Sequence, residues 1–163
     1  MAEGRSPADI VPYRPEFREA FERLNLAWLE AHGLREPADP EVLRDPEGRI
    51  LAKGGKLFIA VQDGEAVGTC AAIPVSPDTV ELAKLAVAPR AQRHGLGRRL
   101  SEMVIDFARL RGASRVTLTS NTLLTDALRL YESLGFRYGV MPADVPYVTA
   151  NVYMTLQLSG TPE

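Results

Sequence analysis

Four arginines and a histidine crowd the stretch Arg90-Ala-Gln-Arg93-His94-Gly95-Leu-Gly97-Arg98-Arg99, in a chain whose formal net charge is −2. An apolar run, Leu85-Ala-Val-Ala88, precedes it and is closed by Pro89; a segment of helical periodicity follows from Leu100. A strand, a basic turn with two glycines and then a helix start present bare backbone N–H groups and the positive end of a helix dipole, which together bind phosphate. Glycine suits such a turn because a side chain would hold the anion away from the amides. Two better-known phosphate loops are excluded. A dinucleotide fingerprint needs a third glycine where Leu100 stands, and a P-loop needs Lys-Ser/Thr where Arg98-Arg99 stand. The plainer reading is a solvated basic turn.

The spacing that fits is Gln92-x-x-Gly95-x-Gly97 following Val87-x-Pro89. It resembles the acyl-CoA pyrophosphate loop of the GNAT superfamily of N-acetyltransferases. A second signature lies downstream: Thr117-Leu-Thr-Ser-Asn121, then Leu130-Tyr131-x-x-x-Gly135-Phe136. A strand ending in Asn and a helix ending in this string also look like that superfamily. The resemblance runs from about Asp9 to Leu158 and is most specific between Glu81 and Phe136. It implies an α/β fold with a mixed, mostly antiparallel sheet flanked by helices and splayed central strands.

The resemblance also implies roles. Acetyl-CoA, the acetyl donor, would lie where the strand ending at Val87 splays from the strand ending at Asn121. Backbone groups of Leu85 and Val87 would receive its pantetheine arm as an added strand, and an N–H near Val87 would polarise the thioester carbonyl. Amides from Gln92 through Arg93, His94, Gly95 and Gly97 to Arg98 would take the diphosphate, with Arg93 and Arg98 as charge partners. Asn121 would contact the cofactor near its sulfur; the plainer reading is an Asx turn capping the next helix, with Thr122 competing for the cap.

Tyr131 is the implied general acid. A thiol has a solution pKa of about 8.5 and a tyrosine about 10, so proton donation to the leaving thiolate is feasible. On periodicity alone Tyr131 is an inward residue of its helix. An alkylammonium, with a pKa of about 10.4, must lose a proton before it attacks. Glu81 is the candidate base, directly or through water; otherwise it is a solvated strand-end carboxylate. Strict alternation puts Glu81, Ala83, Leu85 and Val87 on one face unless a β-bulge intervenes. Lys84 is unusual inside such a strand and either lines the acceptor site or snorkels at an edge. The acceptor would enter between residues 28–40 and 141–149. Trp28 reads as core, His32 as a helix-end residue, Tyr147 and Asn151 as pocket-shaping, and Glu30, Glu36 and Asp39 as carboxylates able to meet a cationic amine.

The elements that must carry these residues read as follows. A strand over Asp9–Tyr13 is followed by a helix from Pro15, with Phe17, Phe21, Leu24, Trp28 and Ala31 on one stripe and Gly33 as its stop. Residues 34–40 form a loop, then a short helix over 41–44 breaks near Pro46 and Gly48, and 50–53 continues helical. Strands over 56–62 and 65–73 meet at Asp63-Gly64, a hairpin signal. A strand over 79–88 leads to a helix after Gly97 with Leu100, Met103, Val104, Phe107 and Ala108 inward. A strand over 115–119, a helix over 123–134 and strands over 136–140 and 150–158 complete the order.

Length, 163 residues, suits one domain, here 9–158 with tails at 1–8 and 159–163. Apolar residues make up 45% and charged residues 25%, an ordinary globular balance, and no apolar run spans a bilayer. The N-terminus lacks a hydrophobic signal core, which points to a cytoplasmic protein. One cysteine and two histidines exclude an internal disulfide and a Cys- or His-rich metal site, so no metal is expected. The acidic balance argues against nucleic acid as a partner. The expected partners are acetyl-CoA and an unidentified amine, on a small molecule or a peptide, acetylated by direct attack in a ternary complex. The alternative is an inactive CoA-binding sensor. Family analogy admits a homodimer.

Overall fold

The computed structural model describes residues 7–36, 39–145 and 148–158, with the side chain of Asp39 left out. Its centre is a seven-stranded sheet in the order β1-β2-β3-β4-β5-β7-β6. The strands are β1 (Asp9–Pro12), β2 (Lys56–Gln62), β3 (Glu65–Ser76), β4 (Thr79–Val87), β5 (Arg115–Ser120), β6 (Arg137–Gly139) and β7 (Val152–Gln157). Every neighbouring pair is antiparallel except β4 and β5. The helices are α1 (Arg18–Ala31), α2 (Asp39–Leu43), α3 (Pro46–Arg49), α4 (Leu96–Leu110) and α5 (Thr125–Ser133). The expected α/β architecture is the one observed. No helix among the described residues is long and apolar enough to cross a membrane.

Local chemistry sets most boundaries. Asp63 and Gly64 both take positive φ (51° and 81°), the conformation a two-residue hairpin turn demands. Pro15 opens a 3-10 turn, and the α-helix starts only at Arg18. Pro46, expected to break a helix, begins one: Asp45 accepts from the Gly48 amide at 3.0 Å, and a proline in the first turn lacks only an N–H that would have no helical partner. Helix α5 is shorter than its periodicity suggested, beginning at Thr125 with no side-chain cap; neither Asn121 nor Thr122 caps it. Ala31, placed on the buried stripe, is exposed. Ala8, placed in a tail, is buried, and its carbonyl accepts from Arg99 at 2.9 Å. Residues 1–6, 159–163 and Tyr147 lie outside the described residues.

Two helices sandwich the sheet. An added Cβ at Gly68 would meet Leu100 of α4 at 3.0 Å, whereas its neighbour Thr69 meets Asn25 of α1. Adjacent strand residues face opposite ways, so α4 and α1 cover opposite faces. On α4 the fully buried Leu100, Val104 and Ala108 repeat at helical spacing.

The central strands separate after three rungs. Parallel pairing of β4 with β5 is confined to Thr79–Glu81 against Arg115–Thr117. Beyond it, β4 holds a bulge: Ala83 pairs with Ala71 and Ala86 with Thr69, so three steps on β4 match two on β3. Lys84 takes φ 57° there, a strained conformation for a residue with a Cβ. A buried polar chain fixes it. Thr69 Oγ1 donates to the Lys84 carbonyl at 2.7 Å and accepts from Asn25 Nδ2 at 3.0 Å; the same amide nitrogen donates to the Phe21 carbonyl at 2.9 Å. Thr69→Val keeps the shape but removes one donor to the Lys84 carbonyl and one acceptor of an Asn25 N–H. We expect it to lower unfolding stability by about 1–3 kcal/mol, read by urea denaturation.

Candidate functional site

Two cavities meet where β4 and β5 part. The smaller, about 140 Å³, lies against α1 and is lined by Glu81 and Lys84 of β4, Asn121 beyond β5, and Glu36 and Thr149 from flanking loops. The larger, about 580 Å³, lies between the 92–98 turn and α5. Leu85, Tyr131, Trp28 and Leu124 line both. Trp28 is therefore a wall residue rather than the core residue its stripe suggested.

The bulge decides which way β4 residues point. Paired residues share a face, so Glu81, Ala83 and Ala86 lie on the α1 face with Thr69, while Val87, paired with Gly68, turns to the other. Val87 accordingly borders the larger cavity, and Leu85, within the bulge, borders both. Glu81 and Tyr131 both reach the smaller one. Burial raises the pKa of Glu81, and the nearby Lys84 ammonium partly opposes this. Burial also pushes the Tyr131 phenol well above the ordinary tyrosine value, with the neighbouring Cys70 sulfur adding to it. Cys70 is fully buried, as expected of a small core residue, and burial likewise raises its thiol pKa. Tyr131 packs edge-on against Phe136, ring centroids 5.8 Å apart, so the two ends of the Tyr-x-x-x-Gly-Phe string support each other.

The basic turn is shaped as a phosphate site requires. Arg93 and Gly95 both adopt positive φ (68° and 76°), and α4 begins directly after them. The first helical bond here runs from the Arg99 amide to the Gly95 carbonyl at 3.1 Å, so the preceding amides have no intrahelical acceptor. Gln92 behaves differently from expectation. Its own amide donates to the Pro89 carbonyl at 3.3 Å, and its side chain donates to the Val87 carbonyl at 2.9 Å. It braces the turn, and the available amides start at Arg93. Gly97 faces α5, where an added Cβ would lie in ordinary contact with Leu130 at 3.4 Å.

The four arginines sort by partner. Arg90 pairs with Glu65 at 2.7 Å and Arg99 holds the Ala8 carbonyl, both away from the cavities. Arg93 and Arg98 line the larger cavity, and Arg98 also reaches Ser133 and Glu102. His94 is exposed and lines neither cavity.

Asn121 is held by its surroundings. Its Oδ1 accepts from the Leu123 amide at 2.9 Å, the Asx turn anticipated from sequence, and its Nδ2 donates to the Thr149 carbonyl at 2.6 Å. Thr149 belongs to a second tie. Glu36 accepts from the Val148 amide (3.1 Å), the Thr149 amide (2.9 Å) and the Thr149 hydroxyl (2.5 Å). Asn151, expected to shape the pocket, instead accepts from the Thr122 amide and braces that turn. Glu30 pairs with Arg35. His32 ends α1 with its Nδ1 2.8 Å from the Trp28 carbonyl. Sequence reasoning missed Asn25, Thr119 and Ser120 as wall residues. A signal existed for Asn25, a polar residue four positions from Phe21 on the buried stripe.

The matches to known proteins follow this geometry. The sequence profile described as "Acetyltransferase (GNAT) family" matches residues 16–136. The chain belongs to the GNAT acetyltransferase family. Members of this family use acetyl-CoA as the acetyl donor. The chain is 38% identical over 151 residues to the N-acetylaspartate synthetase of Rattus norvegicus, covering 92% of this chain and 47% of that protein. It spans about half the length of the curated relatives it matches. Among solved structures, a GNAT-family acetyltransferase from Staphylococcus aureus superposes with TM-score 0.86 at 20% identity, over 93% of this chain and 99% of that one. A GNAT family acetyltransferase from Elizabethkingia anophelis, solved with acetyl-CoA bound, gives TM-score 0.63 at 22% identity, covering 94% and 99%.

The Glu36 tie has a pH signature. Burial alone would raise the Glu36 pKa; the Thr149 hydroxyl, the two backbone amides and the Lys84 ammonium outweigh it and hold the carboxyl below its ordinary value. A carboxylate with a lowered folded-state pKa adds stability above its unfolded pKa of about 4.3, and loses it as pH falls through the folded value. Melting temperature should therefore drop below about pH 4.3, and Glu36→Gln should flatten that drop while lowering the neutral-pH melting temperature.

Proposed function

We propose that this chain transfers an acetyl group from acetyl-CoA to a primary amine of a small molecule or peptide, by direct attack in a ternary complex. The observation that carries this reading is the junction of two cavities at Tyr131 and Leu85. One is bordered by a preformed basic amide turn and the other by the half-buried carboxylate of Glu81.

The donor's diphosphate occupies the turn of Arg93 to Arg98, with Arg93 and Arg98 supplying charge and the freed amides supplying hydrogen bonds. Its acyl arm follows the edge of β4 past Val87 and Leu85 into the split, where no neighbouring strand competes for the backbone. The acceptor amine occupies the smaller cavity. The ammonium gives one proton to water as it enters, and the lone pair of the neutral nitrogen attacks the thioester carbonyl carbon. As the C–N bond forms, one of the nitrogen's two remaining protons passes to Glu81, directly or through water, and burial makes that carboxylate a better base than one in solvent. The C–S bond then breaks, and the pair leaves on sulfur.

Tyr131 keeps its proton over the whole physiological range because burial disfavours the phenolate. Its role at the departing sulfur is first that of a hydrogen-bond donor, which stabilises the thiolate without a full phenolate forming. A proton from bulk then completes the thiol. Glu36, Lys84 and Asn121 shape the acceptor side, and the Asn121–Thr149–Glu36 tie keeps it in register.

Two results test the assignment. With acetyl-CoA and a panel of amines, free thiol should be released, and Tyr131→Phe should lower kcat by about a hundredfold or more. The acid limb of kcat/KM should sit above the ordinary carboxylate range, because the Glu81 pKa is raised, and Glu81→Gln should abolish that limb. Stabilisation by acetyl-CoA without thiol release from any amine would establish a ligand sensor instead.

A further inference from the structure

We infer that Asn25 is an acceptor-binding residue whose carboxamide oxygen receives an N–H of the incoming amine and thereby selects primary over secondary amines. The inference rests on the acetyl-transfer reading above and names its substrate class more finely.

The orientation of this amide follows from the hydrogen bonds. A hydroxyl has one proton. Thr69 Oγ1 gives it to the Lys84 carbonyl, which can only accept, so toward Asn25 the hydroxyl must act as acceptor. The Phe21 carbonyl also can only accept. Both therefore require the amide nitrogen, and its two protons are committed to them. Oδ1 is left facing elsewhere. Asn25 is 4% exposed, yet it lines the smaller cavity. Among the described residues no protein donor reaches Oδ1, and the atom is not sealed from the cavity, since the single fully enclosed side-chain oxygen without a partner is that of Ser101. The buried face of α1 thus presents to the acceptor cavity a carbonyl oxygen that cannot flip. It lies on the α1 side of the sheet, the face that also carries Glu81.

A carbonyl oxygen at that place has use for a donor, and the reaction brings one. A neutral primary amine has two N–H bonds. One is lost to the base as the C–N bond forms, and the other persists in the amide product. Asn25 can hold the persisting N–H through the whole step, which fixes the lone pair toward the thioester. A secondary amine has one N–H, which must go to the base, so its complex leaves Oδ1 unpaired beside an alkyl group. Leaving a buried polar group unpaired weakens binding and turnover by roughly ten- to a hundredfold.

The experiment compares a primary amine found active in the panel with its N-methyl analogue, in the wild-type chain and in Asn25→Leu and Asn25→Ser. The wild type should favour the primary amine in kcat/KM by roughly ten- to a hundredfold, and both variants should reduce that ratio to within about threefold of unity. Because structural damage lowers both rates together, the ratio isolates the contact. Thr69→Val serves as the control: it disturbs the same network from behind and should lower both rates with less change in the ratio. Equal rates for the two amines in the wild type, or a ratio unchanged in soluble Asn25→Ser, overturns the inference while acetyl transfer stands. Absence of thiol release with every amine overturns both.

Discussion

The Thr69 hydroxyl, held between Asn25 of α1 and the carbonyl of Lys84, is the contact on which the site depends. Without it the extra residue in β4 would keep its strained φ and lose the Thr69 hydroxyl as donor to its carbonyl. With it, β4 shifts register between Ala83 and Ala86. Glu81 then addresses one cavity, Val87 the other and Leu85 both, along a single strand. The bulge thus converts one continuous edge into two differently equipped surfaces, and the splay from β5 gives both of them room.

The two halves of the site are built by different physics. The anion side is local: Arg93 and Gly95 adopt left-handed conformations, the helix starts, and amides are freed within a few positions. The acceptor side is assembled over long range. Glu36 and Thr149 lie 113 residues apart in sequence, and Asn25 and Thr69 lie 44 apart. Such contacts position side chains through packing of α1 on the sheet and through loops that meet across its end.

This difference explains what could be read from the chain before its structure. The hairpin at Asp63-Gly64, the stop at Gly33, the strand–turn–helix around Gly95 and the inward set of α4 were legible because each rests on neighbouring residues and a fixed period. The same holds for the places of Arg93, Gly97 and Tyr131 along the cavity walls. The role of Gln92 as a brace was not legible, since a glutamine in a turn carries no sign of which carbonyl its amide will meet. The resemblance singled out Arg93 and Arg98, but nothing local in the residues did: Arg90 and Arg99 are as basic, and only Glu65 and Ala8, both distant in sequence, draw them away. Pro46 misled for a related reason. Proline reads equally as an end or a beginning, and the Asp45 side chain decides which.

The three-rung ladder between β4 and β5 has a mechanical consequence. Strands β1 to β4 form one antiparallel ribbon and β5 to β7 another, and among the described residues this brief parallel seam is the edge they share in the sheet. Three rungs couple the ribbons through the backbone, so beyond them their separation rests on side-chain packing. An extended guest lying along the free edge of β4 would lengthen the seam from within, and the two ribbons would then move as one plate.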